Sequence, residues 1–408
     1  MGHPSSPTAK PIRVTTGGNS SIFHGVPDWV YEEEVFESDY ALWWSPDSTK
    51  LAFLRFDETN VAEFLYPVYN PSPDPNKVVP YPDHVTMKYP KPGYNNPIVS
   101  AHVFDLKGYL ADGAAQESGE EVKVLDKVER ADSAPVPASH VVTLSWEGQR
   151  PAKDSIIQEV AWVHNASLII KEINRAGDDG SVILFDLSHQ LDRTGVTVRT
   201  LGKNGEESDG GWIEAVRRAL RFMGGVIVVL TFAQVRYIYR LPESMVGSNS
   251  AYLDILPNEE GYNHIALFSP ADSSVPKWLT SGPWEVTSGV LGVDVDKAIV
   301  CVLDTSAWQI LVPDWSLRYF LAAAPSSIER NLYSAAIPSL SGPAVAPGEP
   351  KALTDSSQVS YYSASFSPQS GFYVLSYQGP NIPYQLVIEV DNKGQSLLPV
   401  GVPVYEEE

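Results

Sequence analysis

A unit of two short strands joined by a tight turn recurs along this chain, and it constrains the fold more than any other feature. Trp44-Ser45-Pro46-Asp47-Ser48 leads into residues 50–56 (KLAFLRF), and Phe366-Ser367-Pro368-Gln369-Ser370 leads into residues 372–377 (FYVLSY). Val160-Ala161-Trp162-Val163-His164-Asn165 leads into residues 167–173 (SLIIKEI) as a degenerate third copy. Each copy reads as an aromatic-bearing strand, a turn and an apolar strand. Further runs rich in β-branched and aromatic residues lie at 182–187, 264–269 and 384–390. One hairpin repeated across most of a chain is the pattern of sheets arranged radially, with the aromatic packed between neighbours. The predicted fold is all-β: a β-propeller of four-stranded antiparallel blades, with residues 1–408 forming a single domain.

Composition agrees with short strands and many turns. Aromatic residues make up 11% of the chain, beside 33 prolines and 29 glycines. The net charge of −21 repels phosphate backbones and so excludes nucleic acid as a partner class. With one cysteine, Cys301, no intrachain disulfide can form. No apolar run reaches the roughly 18 residues of a spanning helix; the nearest, residues 224–233, is too short. The N-terminus carries no basic region followed by an apolar one, so the expectation is a soluble chain without signal or anchor. Two sequons, beginning at Asn19 and Asn165, are candidate glycosylation sites in a lumenal protein.

Three stretches read as loops. Residues 67–97 contain nine prolines and are expected to be extended chain with few ladder donors. Residues 111–137 are polar, and residues 338–350 are a Pro/Gly/Ser/Ala connector. Two further segments break the blade pattern with apolar, non-alternating sequence: residues 215–236 and 301–318. They are either helical insertions or non-native sequence, such as unspliced intron. The second reading is favoured for 301–318, because Val300 would run naturally into Tyr319-Phe320-Leu321.

The stretch that carries chemistry is Asp28-Trp29-Val30-Tyr31-Glu32-Glu33-Glu34-Val35-Phe36, followed by Tyr40-Ala41-Leu42-Trp43-Trp44-Ser45-Pro46. A bare glutamate triplet is ordinarily a solvated face or the first turn of a helix. Here aromatic and apolar residues flank it on both sides, which argues against a loose acidic loop. Two carboxylates forced together in a partly dry cavity repel, and one tends to hold a proton. A bound ammonium relieves the repulsion and offers three donors to their oxygens. Such a pair suits a peptide's free amino end.

This stretch resembles the signature of the dipeptidyl peptidase IV family. The resemblance continues through Tyr89-Pro90-Lys91-Pro92-Gly93 with Asn96-Pro97, Asn258-Glu259-Glu260-Gly261-Tyr262-Asn263-His264-Ile265, and Leu279-Thr280-Ser281-Gly282-Pro283-Trp284-Glu285-Val286. Glu329-Arg330-Asn331-Leu332-Tyr333, the run 361–368 and Gln378-Gly379-Pro380 follow in order. It implies that Glu33 and Glu34 bind the substrate's amine from a short helix projecting into the central cavity, while Glu32 does not. It also implies an eight-bladed ring of which this chain is an incomplete part. The membrane anchor, the first blades with a substrate-binding arginine, and an α/β-hydrolase domain would all lie outside it. Glu37 departs from the small hydroxyl residue of some relatives, which affects the finer shape of the clamp. The nearest flavour is that of fungal vacuolar and Golgi dipeptidyl aminopeptidases, type II proteins with lumenal catalytic parts. The parent would then cleave dipeptides after proline or alanine, and could be a homodimer.

No G-x-S-x-G nucleophile elbow occurs, so this chain alone is expected to be catalytically inactive. The eight histidines show no zinc-binding spacing, and no metal or cofactor is expected. His264, in an apolar run, reads as a packed core residue. Two other readings remain. A non-enzymatic interaction module on a propeller is one. A glycosidase is the other, and adjacent glutamates suit it poorly because its two carboxyl groups stand about 5–10 Å apart.

Overall fold

The computed structural model describes residues 12–114, 137, 139–188, 193–203, 213, 222–223, 226–227, 238–246, 250–294, 316–337, 350–367 and 371–390. The first sheet is built on β3 (Lys50–Asp57). One side of β3 pairs with β6 (Ile98–Asp105), which in turn pairs with β7 (Val141–Thr143). The other side carries two short strands end to end. β1 (Ile22–His24) faces Arg55 to Asp57, and β2 (Leu42–Trp44) faces Leu51 to Phe53. Between β3 and β6 a separate two-stranded ribbon stands out, β4 (Glu63–Val68) against β5 (Asp83–Lys88). A helix, α1 (Leu106–Ala114), follows β6.

The second sheet runs β8 (Ser145–Trp146), β12 (Thr194–Gly202), β11 (Asp179–Asp186), β10 (Ser167–Asn174), β9 (Ser155–Trp162). The minimal ladder β13 (Phe222–Met223) with β14 (Val226–Ile227) comes next in the chain. The third sheet is β15 (Tyr239–Arg240), β16 (Tyr252–Pro257), β17 (Asn263–Phe268) and β18 (Lys277–Trp278), with the short α2 (Glu243–Val246) between its first two strands. In the fourth, β19 (Glu285–Val286) and β20 (Gly292–Asp294) share one side of β21 (Ser316–Ala323), and β22 (Asn331–Ile337) and β23 (Lys351–Ala352) follow. The last sheet is β24 (Tyr362–Phe366), β25 (Phe372–Tyr377) and β26 (Tyr384–Glu389).

These sheets stack in chain order as a β-propeller: β2 and β6 lie against β9, β9 against β15, β17 against β19, and β21 and β22 against β24. A layer of buried side chains fills each junction. Leu168 and Ile170 turn toward the first sheet and meet Trp43, Leu54 and Phe56, whereas Ile169 and Ile173 turn toward the third and meet Tyr252 and Phe268. Leu253 and Ile255 face the fourth sheet with Phe320. Period-two alternation with both faces buried is why these strands read as continuous apolar runs in the sequence.

The repeated Ser has one job in both good copies. Ser45 N–H donates to Lys50 O while its Oγ accepts from Lys50 N–H at 2.9 Å. Ser367 does the same with Phe372. One residue thus closes the turn through both backbone and side chain, which keeps the hairpin tight. The expected aromatic differs in the first copy. Trp43 packs between the sheets and Trp44 is half exposed, because β2 presents alternate residues to the core. In the third copy Trp162 is buried and its Nε1 donates to Trp43 O at 2.9 Å.

One other expectation needs correction. The proline-rich stretch 67–97 is not simply extended chain, because residues 67–68 and 83–88 lie in the β4–β5 ladder. Pro67 lacks an N–H but sits in a ribbon with an unpaired outer side, where no donor is required. Three sheets elaborate the four-stranded antiparallel plan: the second gains the short β8, which runs parallel to β12, and the first and fourth each have one edge strand broken in two. Ser316 to Arg318, at the end of the out-of-pattern segment 301–318, belong to β21. The remainder of that segment, and residues 215–236 apart from the β13–β14 ladder, lie outside the described residues, as do 115–136 and 338–349.

The second and third sheets are joined by charge as well as by apolar packing. Lys171 Nζ stands 2.9 Å from Asp254 Oδ1 and 3.1 Å from Glu159 Oε2, and Arg199 pairs with the other oxygen of Asp254. The Arg199 guanidinium also lies 4.0 Å above the Phe268 ring. Burial alone would raise the Asp254 carboxyl, but Lys171 and Arg199 outweigh it and hold it below its ordinary range. Its stabilising charge is therefore present at neutral pH and lost on acidification. Replacing Asp254 by Ala leaves two buried cations short of their carboxylate, and an unfolding free energy lower by about 3–5 kcal/mol is expected in urea denaturation. A loss under 1 kcal/mol would show that the cluster does not join the sheets.

Candidate functional site

Glu33 and Glu34 lie on a π-helical turn, Tyr31–Phe36, and the route by which the chain reaches it explains its rigidity. The turn occupies the gap between β1 and β2. At that gap Leu54 O accepts from Gly25 N–H at 2.8 Å, and Leu54 N–H donates to Ala41 O at 3.0 Å. Ala41 N–H then donates to Gly25 O at 2.8 Å, which pinches the chain into a neck. Residues 26–40 leave and return through it. Gly25 has φ 71°, a left-handed conformation suited to glycine, and a Cβ there would stand 3.3 Å from the Leu42 side chain.

Asp28 begins the turn. Its Oδ1 accepts from Tyr31 N–H at 3.2 Å and its backbone O accepts from Glu32 N–H at 2.9 Å. At the far end Glu37 N–H reaches back five residues to Glu32 O, the bond that makes the turn a π-turn, and Ser38 N–H donates to the same oxygen. Glu37 closes it in the left-handed conformation, φ 48° and ψ 42°. Single π-turns recur at functional sites.

The wide turn sorts its side chains cleanly. Tyr31, Val35 and Phe36 are buried in the layer between the first two sheets, whereas Glu33 and Glu34 are exposed and Glu32 is half-buried. Tyr31 is 1% exposed and meets Phe36 and Phe56 at ring centroid distances of 5.4 and 5.0 Å. Its hydroxyl accepts from Ile157 N–H at 3.1 Å, so the turn caps an outward backbone donor of β9, the edge strand of the second sheet. Burial pushes the Tyr31 phenol well above its ordinary range.

Beneath lies a fully buried carboxylate, Glu172. It accepts from Ser155 Oγ at 2.6 Å, Trp146 Nε1 at 2.9 Å and Arg150 N–H at 3.2 Å, and pairs with Arg150 Nη1 at 3.3 Å. Arg150 Nη2 also reaches Asp179 at 3.1 Å. Strand alternation sends Lys171 toward the third sheet and Glu172 toward the turn, and a β-bulge in the facing β9 makes Gln158 the extra residue between Ile157 and Glu159. The result is a satisfied polar floor under the turn.

The sequence singled out Glu33 and Glu34 but not the residues that hold them. Asp28, Tyr31 and Glu172 act through contacts across two sheets, and the aromatic flanks of the triplet were the one local signal of this anchoring. Among the other predicted sites, Asn19 is exposed, with its side-chain oxygen accepting from Ser21 N–H at 2.8 Å. Asn165 is half-buried at the two-residue tip between β9 and β10. His264 is the packed core residue expected: it is fully buried, with its ring nitrogens 3.1 Å from Thr280 Oγ1 and 3.0 Å from Gly282 O, and burial lowers its pKa. Among the described residues no group of three or more His, Cys, Asp or Glu could hold a metal ion.

Comparison with known proteins places this architecture. The profile of the dipeptidyl peptidase IV (DPP IV) N-terminal region matches residues 4–302 and 312–384, a run that skips 303–311 inside the segment that breaks the blade pattern. The chain belongs to the dipeptidyl peptidase IV family, in its N-terminal region. It is 34% identical over 381 residues to the "Probable dipeptidyl-aminopeptidase B" of Chaetomium globosum, covering 92% of this chain and 32% of the relative. Identity to the protein of the same name from Metarhizium robertsii is 35%, covering 92% and 33%. The chain thus spans about a third of the length of these curated relatives. The crystal structure of Porphyromonas gingivalis dipeptidyl peptidase 4 shares the fold, with a TM-score of 0.59 at 21% identity over 95% of this chain and 40% of that one.

The buried start of the turn carries a pH signature. Asp28 is 3% exposed; burial, with a smaller contribution from the charge of Glu58, pushes its carboxyl up to about 6 despite the Tyr31 N–H. The folded protein holds this proton more tightly than the unfolded chain. Its contribution to stability is therefore complete below about pH 4 and is lost as pH rises through about 6. Asn at this position keeps the acceptor for Tyr31 N–H without titrating. In Asp28→Asn the fall in stability from pH 4 to pH 7 should shrink by on the order of 2 kcal/mol, read from urea curves at each pH. Parallel wild-type and variant profiles would contradict the assignment.

Proposed function

We propose that this region is the substrate-gating propeller of a serine dipeptidyl peptidase, and that Glu33 and Glu34 together hold a peptide's free amino end. The carrying observation is that two adjacent carboxylates stand exposed on a turn whose other side chains are locked between two sheets. The turn bridges the edge that β1 and β2 form in the first sheet to β9, an edge strand of the second. In a propeller successive edges of this kind border the central channel. The position supports a carboxylate pair turned toward a substrate in that channel.

The chemistry follows from charge and reach. An ammonium group has three donors and one positive charge, and two carboxylates supply acceptors on neighbouring sides of it. The acidic chain adds a weak long-range attraction for cations. Holding the amine at a fixed point makes the clamp a ruler, since a nucleophile at a set distance meets the same peptide bond each time. In this reading a hydrolase domain of the parent protein supplies that nucleophile, and dipeptides are released after proline or alanine. The same reading puts the protein on the lumenal side of a vacuolar or Golgi membrane, with Asn19 and Asn165 as glycan acceptors and a homodimer as the parent assembly. Among the described residues no helix is long and apolar enough to cross a membrane.

Binding of alanyl-prolinamide to the chain, followed by NMR titration, tests the clamp. Glu33→Gln or Glu34→Gln should each weaken binding about tenfold or more, since a charge-assisted hydrogen bond is worth about 1.5–3 kcal/mol. Acetylating the peptide's amine should abolish the difference between wild type and variants. Equal affinities for the free and acetylated peptides would refute the proposal.

A further inference from the structure

The residue just ahead of the π-turn is tied to a part of the molecule that the clamp does not otherwise use. Trp29 lies four residues before Glu33, about one helical turn away and on the same side of the segment. Its ring packs on Tyr89 at a centroid distance of 4.5 Å, and Tyr89 packs on Phe64 at 5.7 Å. Lys91 Nζ lies 5.2 Å over the Phe64 ring. Phe64 belongs to β4, and Tyr89 follows directly after β5. The base of the ribbon is held by Tyr89 N–H donating to Ala62 O at 2.9 Å and by Lys88 Nζ donating to Val61 O at 3.1 Å.

A two-stranded ribbon is at best marginally stable in water on its own, and this one exposes Phe64, Leu65, Tyr66 and Val85. What places it is its root, and the aromatic part of that root is the Trp29–Tyr89–Phe64 chain. On the other side, the inner flank of the turn is fixed by Tyr31 and Phe36, while its outer flank has Trp29 as its aromatic contact with the ribbon. Any tilt of the ribbon therefore acts on the segment that aims the carboxylates. We propose that Trp29 and Tyr89 are positioning residues for the amine clamp, acting as a strut through which the β4–β5 ribbon sets where Glu33 and Glu34 stand. This rests on the reading of those glutamates as the amine site.

The test uses the full 408-residue chain with Tyr89→Ala, Tyr89→Leu, Tyr89→Phe and Trp29→Ala. Amide hydrogen exchange reads the strut without any ligand. Exchange at residues 31–37 should quicken about tenfold in Tyr89→Ala, Tyr89→Leu and Trp29→Ala, stay at the wild-type rate in Tyr89→Phe, and remain unchanged in β16 and β17. Alanyl-prolinamide affinity should fall about tenfold in the same three variants and be restored in Tyr89→Phe, with the acetylated peptide unaffected. Unchanged exchange at 31–37 would overturn the strut. So would quickened exchange reaching β16 and β17, which would make the pair a general folding element. Quickened local exchange with unchanged peptide affinity, while Glu33→Gln still weakens binding, would overturn the positioning role and leave the clamp standing. If Glu33→Gln and Glu34→Gln are both silent, the clamp itself fails, and the exchange data still decide whether the strut exists.

Discussion

The three hydrogen bonds at the neck, linking Gly25, Ala41 and Leu54, are what the candidate site depends on. An edge strand interrupted in mid-course would ordinarily leave its neighbour's backbone groups unpaired in a buried place, at a cost of about 1–3 kcal/mol for each group. Here Leu54 keeps both bonds, one from each side of the gap, so β3 loses nothing where the chain departs. The fourth sheet solves the same problem on a smaller scale. Between β19 and β20, Thr287 N–H donates to Leu321 O and Ser288 Oγ accepts from Leu321 N–H. Breaking an edge strand is thus a device this fold uses more than once, and in the first sheet the excursion is long enough to carry the π-turn.

Once outside the neck, the turn is held by burial more than by its own backbone. Closing it through Glu37 in the left-handed conformation costs about 1–2 kcal/mol. Burying Phe36 and Tyr31 against Phe56 and Trp43 returns about 1.5–3 kcal/mol for each large side chain, so packing wins. The Tyr31 hydroxyl accepts a bond from Ile157 N–H, and the Glu172 carboxylate beneath is itself paired with Trp146, Ser155 and Arg150. Exposed carboxylates on a turn anchored this way give up little conformational freedom on meeting a ligand, which favours binding through preorganisation.

Much of the strand order was legible in the sequence, for a local reason. Residues 50–56 and 167–173 send apolar side chains to both faces, and residues 372–377 bury Tyr373, Leu375 and Tyr377 on one face. All three are bounded by Ser-Pro or Asn turns, and each became a strand within one residue of its expected limits. The glutamate triplet with its aromatic flanks was equally visible, because anchoring and exposure are both encoded within nine residues. The rest depends on contacts between distant residues. Nothing local shows that Trp43 rather than Trp44 meets the next sheet, since that is set by which residue of β2 pairs with Ala52. Prolines hid the β4–β5 ribbon by suggesting plain extended chain. The pairing of Trp29 with Tyr89 spans 60 positions, and that of Tyr31 with Ile157 spans 126, so neither leaves a periodic trace.

The candidate clamp requires residues 31–37 to be a rigid outgrowth of the blades rather than a loop. Backbone ¹⁵N relaxation of those amides in the free protein tests it most directly. Order parameters of about 0.85, equal to those of β3 and β9, are predicted. Values below about 0.6 at Glu33 and Glu34 would contradict it.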